Sequence, residues 1–189
     1  MQGINIEFKA RMRDEKRIRA ALKSLRPRVA GTDHQIDTYF STPTGRLKLR
    51  QGNIENSLIF YQRENSAKVR PSHVLLCEFS DRAQIRTIKK VMTAALGVAA
   101  VVDKVREIYF VDNVKIHLDR VRGLGKFLEV EAFVQKGSLR QGRKRAREIK
   151  DLFGVLPEDI LSRSYSDLVM ERRGKRPARR RRTRARPMA

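Results

Sequence analysis

Apolar and polar residues alternate from the start of the chain. Ile4, Ile6, Phe8 and Ala10 fall on one side, and Asn5, Glu7, Lys9 and Arg11 on the other. This period of two predicts a β-strand over 4–11 with one apolar and one charged face. The spacing then turns helical. Asp14 can cap a helix whose apolar side is Ile18, Ala21, Leu22 and Leu25, and Arg26-Pro27 ends it. Further strands are predicted over 34–40, 46–50, 58–64 and 73–79, with turn residues at 41–45 and a loop at 66–72. A second helix starts at Asp81, with Ile85, Ile88, Val91, Met92 and Ala95 on its apolar side and Gly97 as its stop. Three strands follow in close order over 101–111, 114–120 and 126–134. Asp112-Asn113 joins the first two, and Gly123-Leu124-Gly125 lies before the third. A basic helix over 138–153, stopped by Gly154, and one or two short helical turns over 157–170 complete the pattern, which contains no internal repeat.

Composition changes this picture in two ways. The chain of 189 residues is 34% charged and 40% hydrophobic, so it either carries much polar surface or turns polar groups inward. Its formal net charge is +22, from 43 Lys and Arg against 21 Asp and Glu, which points to polyanionic partners. The segment 172–189 holds ten of those basic residues and no acidic one. Arg-rich and Pro-punctuated, it cannot bury enough apolar surface to offset its ordering entropy and is expected to be a disordered tail. The organisation expected is one domain over 1–171 followed by that tail. The tail is either a solvated extension or an electrostatic attachment to nucleic acid, polyphosphate or an anionic surface; without an aromatic residue it is unsuited to base recognition.

Cys77 is the single cysteine, which excludes an internal disulfide and a cysteine-based zinc site; within Val74-Leu75-Leu76-Cys77 it reads as a small buried residue. With no secretory signal and no run of about 18 apolar residues, a soluble cytoplasmic protein is expected.

The charges also arrive in pairs at i and i+2, so that both members of a pair share one strand face. These pairs are Glu7 with Lys9, Lys48 with Arg50, Lys104 with Arg106, and Glu129 with Glu131, besides the set Lys115, His117 and Asp119. On spacing alone each reads first as an ordinary solvated strand face. In a closed antiparallel barrel the pairs would instead line a cavity. A lumen of both signs suits a triphosphate with a divalent metal, since Arg and Lys neutralise phosphate oxygens and carboxylates hold a hard cation.

Taken in order, these residues resemble the CYTH, or triphosphate tunnel, family. Ile6-Glu7-Phe8-Lys9-Ala10-Arg11 is similar to its N-terminal ExExK signature. Matches follow at Gln35 to Phe40, Gly45 to Arg50, Tyr61-Gln62-Arg63, Lys104 to Tyr109, Ile116 to Asp119, Gly125 to Glu131 and Ser164 to Leu168. The resemblance implies an α+β fold, a closed eight-stranded antiparallel β-barrel with flanking helices. It also implies binding and hydrolysis of inorganic, nucleoside or thiamine triphosphate with Mg²⁺ or Mn²⁺. Class IV-type adenylate cyclase activity and non-catalytic triphosphate or polyphosphate binding are the alternatives. By position, Lys9, Lys48, Arg50, Arg63, Lys104 and Arg106 would bind phosphate. Glu7, Asp119, Glu129 and Glu131 would hold metal, and no catalytic residue is assigned. One departure stands out: Asn5 replaces the first Glu of ExExK, offering a carbonyl oxygen to a metal without a negative charge. The His-Phe pair that precedes ExExK in bacterial class IV cyclases is also missing, which counts against cyclisation. Tyr165-Ser166-Asp167 is expected to close the C-terminal segment on the barrel.

Overall fold

A computed structural model describes residues 2–62, 70–134 and 139–174. The chain runs β1 (Gln2–Arg11), α1 (Glu15–Ser24), β2 (Arg28–Phe40), β3 (Arg46–Gln51), β4 (Ser57–Gln62), β5 (Arg70–Glu78), α2 (Arg82–Leu96), β6 (Val98–Val111), β7 (Val114–Val121), β8 (Gly125–Val134), α3 (Leu139–Leu152) and α4 (Tyr165–Gly174), with a single 3-10 turn at Pro157–Asp159 before α4. The eight strands close into an antiparallel barrel in the order β1-β5-β4-β3-β2-β6-β7-β8, with β8 returning to β1.

The barrel is apolar outside and charged inside. Ile6, Phe8 and Ala10 of β1 join Ile116 and Leu118 of β7 and Leu128, Val130 and Ala132 of β8 on the outer wall, where Ile18 and Leu22 of α1 and Ala146 and Ile149 of α3 cover them. A second outer layer packs Ile85 of α2 on Phe40 and Leu49. Asp14 caps α1 by accepting the Arg17 N–H at 2.9 Å, as its sequence position implies. The close seat of α3 depends on Gly142: a Cβ there would come within 2.5 Å of Val134 Cγ1 and 3.1 Å of Ile6 Cγ1. Gly142→Val is therefore expected to lower stability by about 1–3 kcal/mol through overpacking, read as a lower urea midpoint at unchanged slope.

Several expectations need adjustment. β2 begins at Arg28 rather than at residue 34, because backbone pairing with β6 carries its polar first half through a register shift between Val29 and Gly31. On α2 the packed side is Ile85, Ile88, Met92 and Leu96; Val91 and Ala95 face solvent, since no second layer covers that flank. Cys77 is exposed rather than buried: it lies on the outer face of β5 beside exposed Leu75, and the inner face of that strand carries Ser72, Val74 and Leu76. α4 continues through Arg172 and Arg173 to Gly174, into the segment expected to be tail; residues 175–189 lie outside the described residues. No helix among the described residues is long and apolar enough to cross a membrane.

Candidate functional site

The lumen is a cavity of about 350 Å³, in the size range of small-ligand pockets, lined from all eight strands and from Ser164 and Tyr165. Strand register sets its charge pattern. Across β1, β8 and β7, Lys9 faces Glu129, which faces His117. One pleat on, Glu7 faces Glu131, which faces Lys115. Each row thus places a cation and a carboxylate side by side, with the outward apolar residues between rows holding the wall.

Three ion clusters follow, the first two largely buried and the third half-buried. In the first, Asp37 accepts Arg50 Nε at 2.9 Å and Nη2 at 3.1 Å, Lys104 Nζ at 2.7 Å and Lys48 Nζ at 3.2 Å. Burial opposes its ionisation, but Arg50, Lys104 and Lys48 together hold the carboxyl well below its usual range. In the second, Arg106 forms a fork with both oxygens of Asp119, each at 2.6 Å, and also reaches Glu129. Lys9 pairs with Glu129 and lies 3.8 Å over the ring of Tyr165, whose hydroxyl donates to Asp119 at 2.8 Å. In the third, Glu55 joins Arg50 and Lys115. Burial, reinforced by Arg106, depresses Lys104 well below the usual lysine range.

His117, Glu129 and Glu131 each place one ligand atom within 4.8 Å of the others. His117 Nδ1 stands 3.6 Å from Glu129, too far for a hydrogen bond, and neither ring nitrogen has a hydrogen-bond partner among the described residues. Burial and then the neighbouring Arg106 pull its pKa down to about 3, so the ring is neutral and able to ligate. Burial and the charge of Glu129, with Glu7 adding to them, push Glu131 above the usual carboxylate range. Unsatisfied imidazole nitrogens beside crowded carboxylates make a place where a divalent cation would relieve both costs.

One end of the lumen is filled by apolar and aromatic side chains. Tyr39, Ile59, Tyr61, Val102, Phe127 and Tyr165 pack there, with Leu168 and Val169 of α4 behind them. Asp167 anchors that segment by accepting Arg46 Nη2 and the Ser164 N–H, both at 2.9 Å, so this stretch closes on the barrel as its sequence suggests. Side-chain exposure rises from 1% at Lys104 to 20% at Glu55 and 26% at Lys115, so solvent reaches the lumen past the latter pair.

Of the residues singled out from sequence, Lys9, Lys48, Arg50, Lys104, Arg106, Asn5, Glu7, Glu129 and Glu131 all line this one cavity. Asp119 sits behind Arg106, taken up by the guanidinium and Tyr165, and apart from the His117 group. Arg63 lies outside the described residues. Sequence reasoning placed Lys115 and His117 on the cavity-facing side with Asp119 without assigning them to phosphate or metal, and gave Asp37 and Glu55 no role; Lys115 and His117 do line the cavity. Asp37 alternates with Gln35 and Tyr39 and could have been found by the same i, i+2 rule; Glu55 lies on a loop that carries no such signal.

The family model that matches this chain is that of the CYTH domain, over residues 3–165. A Methanocaldococcus jannaschii protein named "Putative adenylate cyclase MJ0240" is 25% identical over 178 residues, covering 87% of this chain and 98% of that protein. The structure of the PH1012 protein from Pyrococcus horikoshii superposes with a TM-score of 0.73 at 25% identity, covering 87% of this chain and 99% of that one. A Hippeastrum protein, named "Putative adenylyl cyclase HpAC1" and described as having a dominant triphosphatase activity, shares the fold at 17% identity and a TM-score of 0.56, covering 94% of this chain and 98% of that one.

Proposed function

The chain belongs to the CYTH domain family, and from that membership and its cation-lined lumen we propose that it binds a triphosphate compound with a divalent metal ion and hydrolyses it. The observation that carries this reading is the convergence of Lys9, Lys48, Arg50, Lys104 and Arg106 on one cavity that also holds the His117, Glu129 and Glu131 group. Membership implies triphosphate substrates and metal dependence; hydrolysis, and Mg²⁺ or Mn²⁺ as the ion, are the finer part of the proposal.

Glu129, Glu131 and the neutral His117 would hold the ion, with Glu7 and the carbonyl of Asn5 on the same face of β1; the carboxylates suit a hard cation such as Mg²⁺ or Mn²⁺. When bound, the ion would neutralise phosphate oxygens and polarise the phosphorus under attack. The protein's own part is positional and electrostatic. Lys48, Arg50 and Lys104 exchange their shared carboxylate, Asp37, for phosphate oxygens, and the arriving anion favours the charged form of Lys104 that burial disfavours. Arg106, fixed by its fork to Asp119, presents a guanidinium that needs no reorientation as charge develops. The aromatic end layer confines the substrate to the charged part of the lumen.

Phosphate release from inorganic triphosphate, ATP and thiamine triphosphate, assayed in parallel with Mg²⁺ and with Mn²⁺, tests the reading. Turnover of at least one substrate is expected, falling to background when EDTA is added and returning with the metal. Cyclic AMP from ATP would move the chain to the activity for which its M. jannaschii relative is named. Asn5 favours one other reading, a binder without turnover. Tight binding with no phosphate release, together with turnover gained by Asn5→Glu, would establish it.

A further inference from the structure

The loop between β3 and β4 is built around a buried carboxylate. Asp33 Oδ1 accepts the backbone N–H groups of Asn53 at 2.5 Å and Ile54 at 3.0 Å. Its Oδ2 accepts the Glu55 N–H at 3.0 Å and the Gln35 side-chain amide at 2.8 Å. Asp33 is wholly buried, and the loop folds so tightly over it that a Cβ at Gly52 would lie 2.6 Å from Oδ2 and 2.7 Å from the Glu55 carbonyl. Such a clamp fixes where the next side chain goes. Glu55 points back into the lumen, where Oε2 accepts Arg50 Nη1 at 2.7 Å and Gln35 Nε2 at 2.9 Å, and Oε1 pairs with Lys115. Burial opposes the charge on Glu55, but Arg50 and Lys115 keep it ionised.

We propose that Glu55 is a built-in stand-in for a phosphate group, occupying a phosphoryl subsite made by Arg50, Lys115 and Gln35 until a triphosphate displaces it. The inference rests on the triphosphate reading of the cavity and adds the subsite, with Lys115 and Gln35 as its new members. Two cations and an amide donor converging on one carboxylate match the needs of a multi-oxygen anion. The acid comes from a clamped loop and from no strand of the barrel wall, so it can leave the subsite without any strand changing register. Glu55 thereby holds Arg50 and Lys115 in place in the free protein, and makes an entering anion compete for them.

The test is calorimetric titration of inorganic triphosphate into the full chain at fixed excess Mg²⁺, comparing the wild type with Glu55→Gln. Removing the competing charge while keeping its shape should tighten Kd by about tenfold, the size of one charged hydrogen-bonded contact. A purely structural role for Glu55 would give the opposite sign. Equal or weaker binding by the variant overturns the inference and leaves the triphosphate reading standing. Absence of binding by both proteins overturns that reading and the inference with it. If Glu55→Gln does not fold, Asp33→Asn carries the same test, because it loosens the clamp at unchanged Glu55 charge. Tighter binding is expected there too, and an unchanged or weaker Kd is the overturning result.

Discussion

Glu131→Gln is expected to lower metal-dependent triphosphate turnover by about 10²-fold or more, the scale of losing one charged contact in a water-poor site, without lowering the thermal midpoint of the metal-free protein. The two halves of this expectation have one cause. In the free protein Glu131 is half-buried beside Glu129 and Glu7, and Lys115 and Arg106 offset only part of the cost of its charge, which a bound cation would offset further. Its folded pKa lies above the unfolded value. Its contribution to stability is therefore fully present below the ordinary glutamate range and is lost as pH rises through the raised value. The glutamine variant lacks that loss. Its midpoint should exceed that of the wild type above this window and converge with it below. Asp37 and Glu129, with depressed pKa values, act with the opposite sign and at lower pH, where both proteins lose stability together. Melting curves across pH in EDTA, set beside turnover with Mn²⁺, check both halves. A variant that kept its activity would remove Glu131 from the site.

The largest effect on stability is expected from Arg106→Met. Arg106 is among the largest fully buried side chains, and it neutralises Asp119 through a two-bond fork while also reaching Glu129. Removing it leaves two carboxylates in the lumen with fewer cations, a loss of about 3–5 kcal/mol. For a chain of this length that corresponds to a drop of about 10 °C or more in Tm. The cause can be separated from lost packing, because methionine keeps much of the volume. Adding Asp119→Asn to Arg106→Met removes one stranded charge and should restore part of the midpoint. A double variant no more stable than the single one would show that packing, and not charge, held the position.

Strand pairs at i and i+2 were the readable part of this molecule. Lys48 with Arg50, Lys104 with Arg106, and Glu129 with Glu131 lie on single strand faces, and a closed antiparallel sheet leaves such a face only two directions. Apolar alternation then set the direction: Ile6, Phe8 and Ala10 were claimed by α1 and α3, which turned Glu7 and Lys9 inward. Partnership between strands was not readable. That Asp37 serves three cations from β3 and β6, or that Asp119 belongs to Arg106 and Tyr165 rather than to the His117 group, depends on register and shear, which no local pattern encodes. Glu55 was out of reach for a different reason, since its place is set by Asp33, some twenty residues away. Cys77 failed because a greasy run on β5 reads as buried whether or not a helix lies over it.

Closure of the sheet also bears on how this chain behaves in concentrated solution. β1 pairs with both β5 and β8, so all eight strands have two neighbours within the ring. An outer face such as that of β5, with Leu75 and Cys77 in solvent, would be an aggregation template on an open sheet, where unpaired N–H and C=O groups recruit a second chain. Here the backbone beneath those side chains is already spoken for, and contact between molecules is left to side chains alone. Between particles carrying a net charge of +22, those contacts must also overcome long-range repulsion.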